Sequence, residues 1–148
     1  MAQTGFMLSD EGRSITVLND SGTTAIEAGD ICYSAANDDV LTGTAAQVRN
    51  AYAAGDIKVK SMTDSASGYE TVLGIALEDI PADGYGSIAM EGVFMHATVE
   101  NVEAGGVLQG DEAATNKVAV ADEFGHVIGR ALTGGSVDGK YIAWKLTL

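Results

Sequence analysis

The side chains able to do chemistry are few and scattered. Histidine occurs twice, as His96 inside an apolar run and His126 after Gly125, and cysteine once, as Cys32. Neither histidine has a second histidine or a cysteine at ligand spacing, so no zinc site is predicted. No GxSxG nucleophile elbow is present. Cys32 lies in a predicted strand with no local cation to lower its pKa, which predicts a buried, inert thiol. Gly134-Gly-Ser-Val-Asp-Gly139-Lys140 matches the first positions of a phosphate-binding GxxxxGK loop, but Tyr141 stands where Ser or Thr must bind Mg²⁺. A strand-like run closes the chain there, whereas a phosphate loop opens a helix. Acidic pairs recur at Asp10-Glu11, Asp38-Asp39, Glu78-Asp79, Asp111-Glu112 and Asp122-Glu123, and none forms a DxDxDG calcium loop. They suit incidental cation binding by a turn and nothing more specific. Paired carboxylates also serve glycoside hydrolysis, but one Trp and few other aromatics leave little to stack a sugar. No catalytic residue, no cofactor site and no metal-ligand set is therefore predicted.

The elements that would have to position any site are mostly strands. Predicted strands are Ser14–Leu18, Asp30–Tyr33, Ile57–Ser61, Thr71–Leu77, Ser87–Met90, Val93–Val99, Lys117–Ala121, Val127–Leu132 and Tyr141–Leu148. In the last, Ile142, Trp144, Leu146 and Leu148 share one face, which should be buried. One helix is expected after Thr44-Ala-Ala-Gln47, a capping box, with Ala45, Val48 and Tyr52 near one face and Gly55 as its terminator. Asn19-Asp-Ser-Gly22 reads as a turn in which Asn bonds its own backbone.

The strands belong to a repeat. Val72-Leu-Gly-Ile-Ala-Leu77, then Asp83-Gly84 and Ile88-Ala89, is echoed by Val127-Ile-Gly-Arg-Ala-Leu132, Asp138-Gly139 and Ile142-Ala143. The offset is 55 (127 − 72) and then 54 (142 − 88). Upstream, Ile26-Glu-Ala-Gly-Asp-Ile31 matches Val102-Glu-Ala-Gly-Gly-Val107 at an offset of 76 (102 − 26). Two copies of one β unit follow, the first with extra residues between its motifs. The organisation expected is an N-terminal arm and first strand (1–23), a first β unit (24–92, with an insertion at about 40–69) and a second β unit (93–148), together one domain. Glycine in the EAG turns supplies a positive φ, and glycine inside each VxGxAL run marks a bulge or a close backbone approach. The fold class expected is mainly β, a small β-barrel or β-sandwich built from two similar units, with a short helix and an extended arm.

Length and composition set the outer bounds. The 148 residues carry 21 acidic and 8 basic side chains, a net charge of −13, with 46% apolar residues and one cysteine. A core without staples is feasible at this size, and one cysteine excludes an internal disulfide. The charge repels phosphates, so no nucleic-acid partner is expected; it suits solvated surface carboxylates or adaptation to high salt. The start, MAQTGFMLSDEGR, lacks a basic n-region before an apolar run. The longest apolar runs, such as Val93–Val99, fall far short of the roughly 20 residues that span a bilayer. The expectation is a soluble protein made in a cytoplasm, with no membrane partner.

The unit Val72-Leu-Gly-Ile-Ala-Leu-Glu-Asp, a glycine turn, then Ser87-Ile-Ala-Met-Glu-Gly-Val-Phe94 resembles the small capsid cement or head decoration proteins of tailed viruses. The parts that match are Gly74–Phe94, Val102–Gln109 and Gly129–Leu146, and the likeness runs from about Thr24 to Leu148, broken by the inserted stretch from Val40 to about Tyr69. What the resemblance implies is a non-enzymatic virion protein on the outside of an icosahedral capsid, commonly a homotrimer, that clamps adjacent subunits of the major capsid protein. The arm cluster Phe6-Met7-Leu8 is then the candidate clamp, by strand addition to a neighbouring sheet. Cations such as Arg13, Arg49 and Lys145 become candidates for contacts. Two other readings stand beside it: another structural virion subunit of a tail or connector, and a small-ligand or glycan-binding β domain.

Overall fold

Among the described residues, alternating apolar runs bounded by turn residues fold into eleven strands. A computed structural model describes residues 5–9, 13–35, 57–136 and 141–148, the first of these by backbone alone. In chain order the strands are β1 (Gly5–Ser9), β2 (Ser14–Asn19), β3 (Ile31–Ser34), β4 (Lys58–Ser61), β5 (Val72–Ala76), β6 (Tyr85–Ala89), β7 (Glu91–Ala97), β8 (Val107–Gly110), β9 (Val118–Val120), β10 (Gly129–Ala131) and β11 (Tyr141–Thr147). Among the described residues the helical pieces are three short 3-10 turns, Met62–Asp64, Gly68–Thr71 and Phe124–His126. The helix expected from Thr44 to Gly55, Arg49 within it, lies outside the described residues. The fold is mainly β: a closed barrel, β2-β4-β3-β5-β6, and a sheet in the order β1-β7-β11-β10-β8-β9.

The barrel and the sheet are the same object twice. Ile31 pairs with Ile75 and Cys32 with Gly74 in the barrel; Val107 pairs with Arg130 and Leu108 with Gly129 in the sheet. Cys32 faces Ser61 as Leu108 faces Val120. Ile15 faces Ile88 as Phe94 faces Trp144. Parallel closure is equivalent too: Asn19 pairs with Val59, and Thr98 makes a single parallel bridge to Val118. Thus β7 to β11 repeat β2 to β6, the second set closed by one bridge, and the two sets span Ser14–Ala89 and Glu91–Thr147. β1 is an addition to the edge of β7.

Loop hydrogen bonds repeat as well. Gly29 N–H donates to Ala76 O at 2.8 Å, and Gly105 N–H donates to Ala131 O at 2.7 Å. Ile26 and Ile80 exchange two backbone bonds, as Val102 and Gly135 do. Gly29 and Gly105 both hold positive φ, 90° and 85°, which explains glycine in each EAG turn. The sequence match needs one correction. From Ile88 and Trp144, both facing the equivalent strand, the last strands correspond at an offset of 56 (144 − 88), not 54. A slip of two residues leaves every side chain on the same face, so the apolar pattern does not distinguish the two registers.

Burial follows period two. On β3, Cys32 points into the barrel with Val17, Val59, Ala76 and Ile88, while Ile31 points out. Ile31, Ile75, Ala89 and Met62 join a second cluster with Phe94, Leu108, Ile142, Trp144 and Leu146 of the other unit. The first unit's outer face is therefore covered by the second unit. Each large side chain buried there contributes about 1.5–3 kcal/mol. On β11, Ile142, Trp144 and Leu146 are buried as expected, but Leu148 is 51% exposed, because it lies beyond the last pair, Thr147 with Glu91.

Candidate functional site

The residues with chemical potential are tied into structural roles. Cys32 is fully buried in the first barrel, and burial, with the nearby Asp30, pushes its thiol up. His96, on β7, is fully buried. The Trp144 indole N–H donates to its Nδ1 at 3.0 Å, so the proton sits on Nε2, which donates to Gly29 O at 2.7 Å. Burial drops its pKa to about 4, against the smaller opposite effect of the Gly29 bond. Asn116 completes the arrangement: Ile31 N–H donates to its Oδ1 at 2.7 Å, and its Nδ2 donates to Gly29 O at 3.2 Å. The first EAG turn is thus bolted to the second unit through buried polar atoms.

Asp30 and Asp111 are also buried, Asp30 accepting from Glu27 N–H at 3.0 Å, while Glu112, Asp122 and Glu123 are exposed. His126 meets Asp122 at 3.3 Å and Glu123 at 3.7 Å on its own turn. A hydrogen bond with Asp122 raises the Glu112 carboxyl and lowers that of Asp122. Among the described residues no group of three or more His, Cys, Asp or Glu could hold a metal ion. Gly135, in the stretch that matched a phosphate loop, is bonded both ways to Val102, and Tyr141 opens a strand, β11. Residues 137–140, with Lys140, lie outside the described residues. Asn19 makes the expected turn, its Oδ1 accepting from Ser21 N–H at 3.0 Å.

The structure places the arm cluster on its own chain. Phe6 stands opposite Met95, Met7 opposite Phe94, and Ser9 opposite Val93, with Leu8 at the irregularity between Met7 and Ser9. Among the described residues β1 has one neighbour, β7, so its other edge is the margin of the sheet. A bulge in an edge strand disfavours uncontrolled pairing while leaving backbone groups available to a shaped partner. Arg13 sits at the start of β2, where its carbonyl accepts from Met90 N–H and its guanidinium lies 3.8 Å from Glu91. That pair is exposed and worth at most about 1 kcal/mol.

One surface residue escaped the sequence analysis. Phe124 is 99% exposed, on the turn that precedes β10. It borders an open groove of about 450 Å³ lined by Val107, Ala121, Val127, Arg130 and Thr147. The signal was present: Tyr69 stands as far before Val72 as Phe124 does before Val127.

No family model matches the chain, and no curated protein matches it. A solved structure does. The N base of the head fiber gp8.5 of bacteriophage phi29 superposes with a TM-score of 0.55 at 13% identity, over 91% of this chain and 93% of that one. At such identity the likeness is one of fold.

Proposed function

We propose that this chain is a non-enzymatic structural protein of a phage virion, bound to the outer surface of the icosahedral head, where it clamps adjacent subunits of the major capsid protein. The observation that carries the reading is the fold likeness to a head fiber's N base, which extends over nearly the whole of both chains. Two features support it. The buried histidine, cysteine and asparagine serve internal packing, and the sheet ends in β1, a strand whose outer edge can receive another chain's backbone. Phe6, Met7, Leu8 and Arg13 are the proposed contact residues. The molecule acts as a small homo-oligomer, a trimer, made in the host cytoplasm.

The test is co-sedimentation with shells stripped of the protein. The full chain is expected to pellet with expanded shells and not with isolated capsid subunits. Deletion of Met1–Arg13 is expected to weaken binding at least tenfold, a loss of about 1.4 kcal/mol or more, while the rest of the chain keeps a cooperative thermal transition. Absence of co-sedimentation at every salt concentration would overturn the reading, and a truncated chain that unfolds would make the arm part of the core.

A further inference from the structure

We infer that the outer edge of β2, from Ser14 to Thr16, is a second strand-acceptor site, and that its occupant is an extended segment of a capsid subunit running antiparallel to β2. Each unit closes over a short stretch of its first strand. β2 and β4 pair at two positions, Leu18 with Lys58 and Asn19 with Val59. Leu18 N–H donates to Ile57 O at 2.8 Å and Asp20 N–H to Val59 O at 3.0 Å, whereas Asn19 N–H donates the other way, to Gly84 O beside the start of β6. Backbone groups alternate in direction along a strand. The amides of Ser14 and Thr16 therefore point to the same side as that of Leu18, ahead of the first paired residue. Among the described residues no strand meets them there. Both residues are exposed, and Ile15 between them is partly buried at the rim of the barrel cluster.

The second unit shows what such an edge holds. Its first strand, β7, corresponds to β2 at an offset of 79 (94 − 15). Thr98 makes a parallel bridge to Val118, as Asn19 pairs with Val59. Just before that bridge lie Val93, Phe94 and Met95, the counterparts of Ser14, Ile15 and Thr16, and they carry β1 on the side away from β11. Both neighbours share one edge of β7, so the closing contact leaves room for an added strand. Phe94 is fully buried, with Met7 opposite it in β1, whereas Ile15 at the bare edge is partly exposed. A strand added to β2 would satisfy the Ser14 and Thr16 backbone and cover Ile15. The β1 register gives it an antiparallel direction and an apolar residue opposite Ile15. A second copy has no spare strand of this kind among the described residues, because its β1 lies on its own β7. The inference rests on the capsid reading and adds to it a surface separate from the arm.

The test uses the full chain, free and bound to stripped expanded shells, with hydrogen exchange followed over β2 by mass spectrometry. Exchange there is expected to slow at least about tenfold on the shell. Unchanged exchange in the bound chain overturns the inference. Thr16→Pro removes an outward N–H and no bond to β6, which is where a strand tolerates proline. It is expected to keep a cooperative thermal transition and to weaken co-sedimentation with shells at least about tenfold, because proline cannot donate to an added strand. Ser14→Pro, at the first residue of the strand, carries the same expectation and serves if Thr16→Pro does not fold. A folded proline variant that binds shells like the wild type overturns the inference and leaves the capsid reading standing. A proline variant that loses self-association and keeps shell binding also overturns it, and gives the edge to a second copy. A wild type that ignores shells overturns the capsid reading. The edge is then judged with a synthetic peptide of Ala2–Asp10, which contains the strand that fits the equivalent edge of β7. A shifted Thr16 amide resonance at millimolar peptide keeps the acceptor edge, and an unmoved one overturns it.

Discussion

His96 shows how a lone histidine in an apolar strand becomes a structural bolt. It shares the inward face of β7 with Phe94, and its ring is neutral because burial opposes the charged form. Its folded pKa of about 4 lies below the ordinary value of about 6.5. Between those values the unfolded chain takes up a proton that the folded chain refuses. Stability from this residue is therefore complete above about pH 6.5 and is lost as the pH falls toward 4, in total about 3 kcal/mol. Asp30, whose carboxyl burial raises, works in the opposite sense at lower pH and offsets part of the loss. Urea unfolding followed by Trp144 emission is expected to show the wild type weaker at pH 5 than at pH 7 by about 2 kcal/mol. His96→Gln is expected to be less stable at pH 7 but nearly flat across this range; an undiminished slope would assign the proton to another group. That His96 faces inward could be read from its spacing to Phe94. That it bonds Gly29, 67 residues away, could not, because the partner is brought there by the docking of two units.

At the scale of elements, the repeated VxGxAL strands carry the clearest sequence signal. An added Cβ at Gly74 would stand 2.3 Å from Ala89 O, and one at Gly129 would stand 2.0 Å from Lys145 O. Both obstacles are backbone carbonyls in the adjacent strand, which cannot swing aside. Gly74→Ala and Gly129→Ala are each expected to lose about 2–3 kcal/mol in denaturant melts. Gly22→Ala, with nothing within 4 Å of the new methyl, is expected to change stability by less than about 0.5 kcal/mol. The glycine inside each run was legible as a close approach because a strand gains nothing else from it. Two things were not legible. The register of β6 and β11 was hidden because a slip of two preserves the buried face. The pairing of β1 with β7 was hidden because a short strand satisfies its backbone equally on any open edge.

For the whole molecule the decisive feature is the junction between the two five-strand units, part apolar and part polar. Asn116 holds both Ile31 N–H and Gly29 O across it. Asn116→Ala leaves a buried amide unpaired and is expected to cost about 2 kcal/mol, with faster hydrogen exchange at Ile31 as the local readout. Unchanged exchange at Ile31 would show that the junction does not depend on this side chain. By itself the sequence determined the β class, most strand positions and the duplicated EAG and VxGxAL motifs, since each of these is written in local periodicity and turn chemistry. Only the tertiary structure decided that β2 and β7 are counterparts, that the second unit closes by a single bridge, and that Tyr69 is partly buried while Phe124 is bare. Those properties arise from which face of one unit meets which face of the other. Two copies of one pattern carry the same faces, and the pattern alone does not say which copy will cover its neighbour.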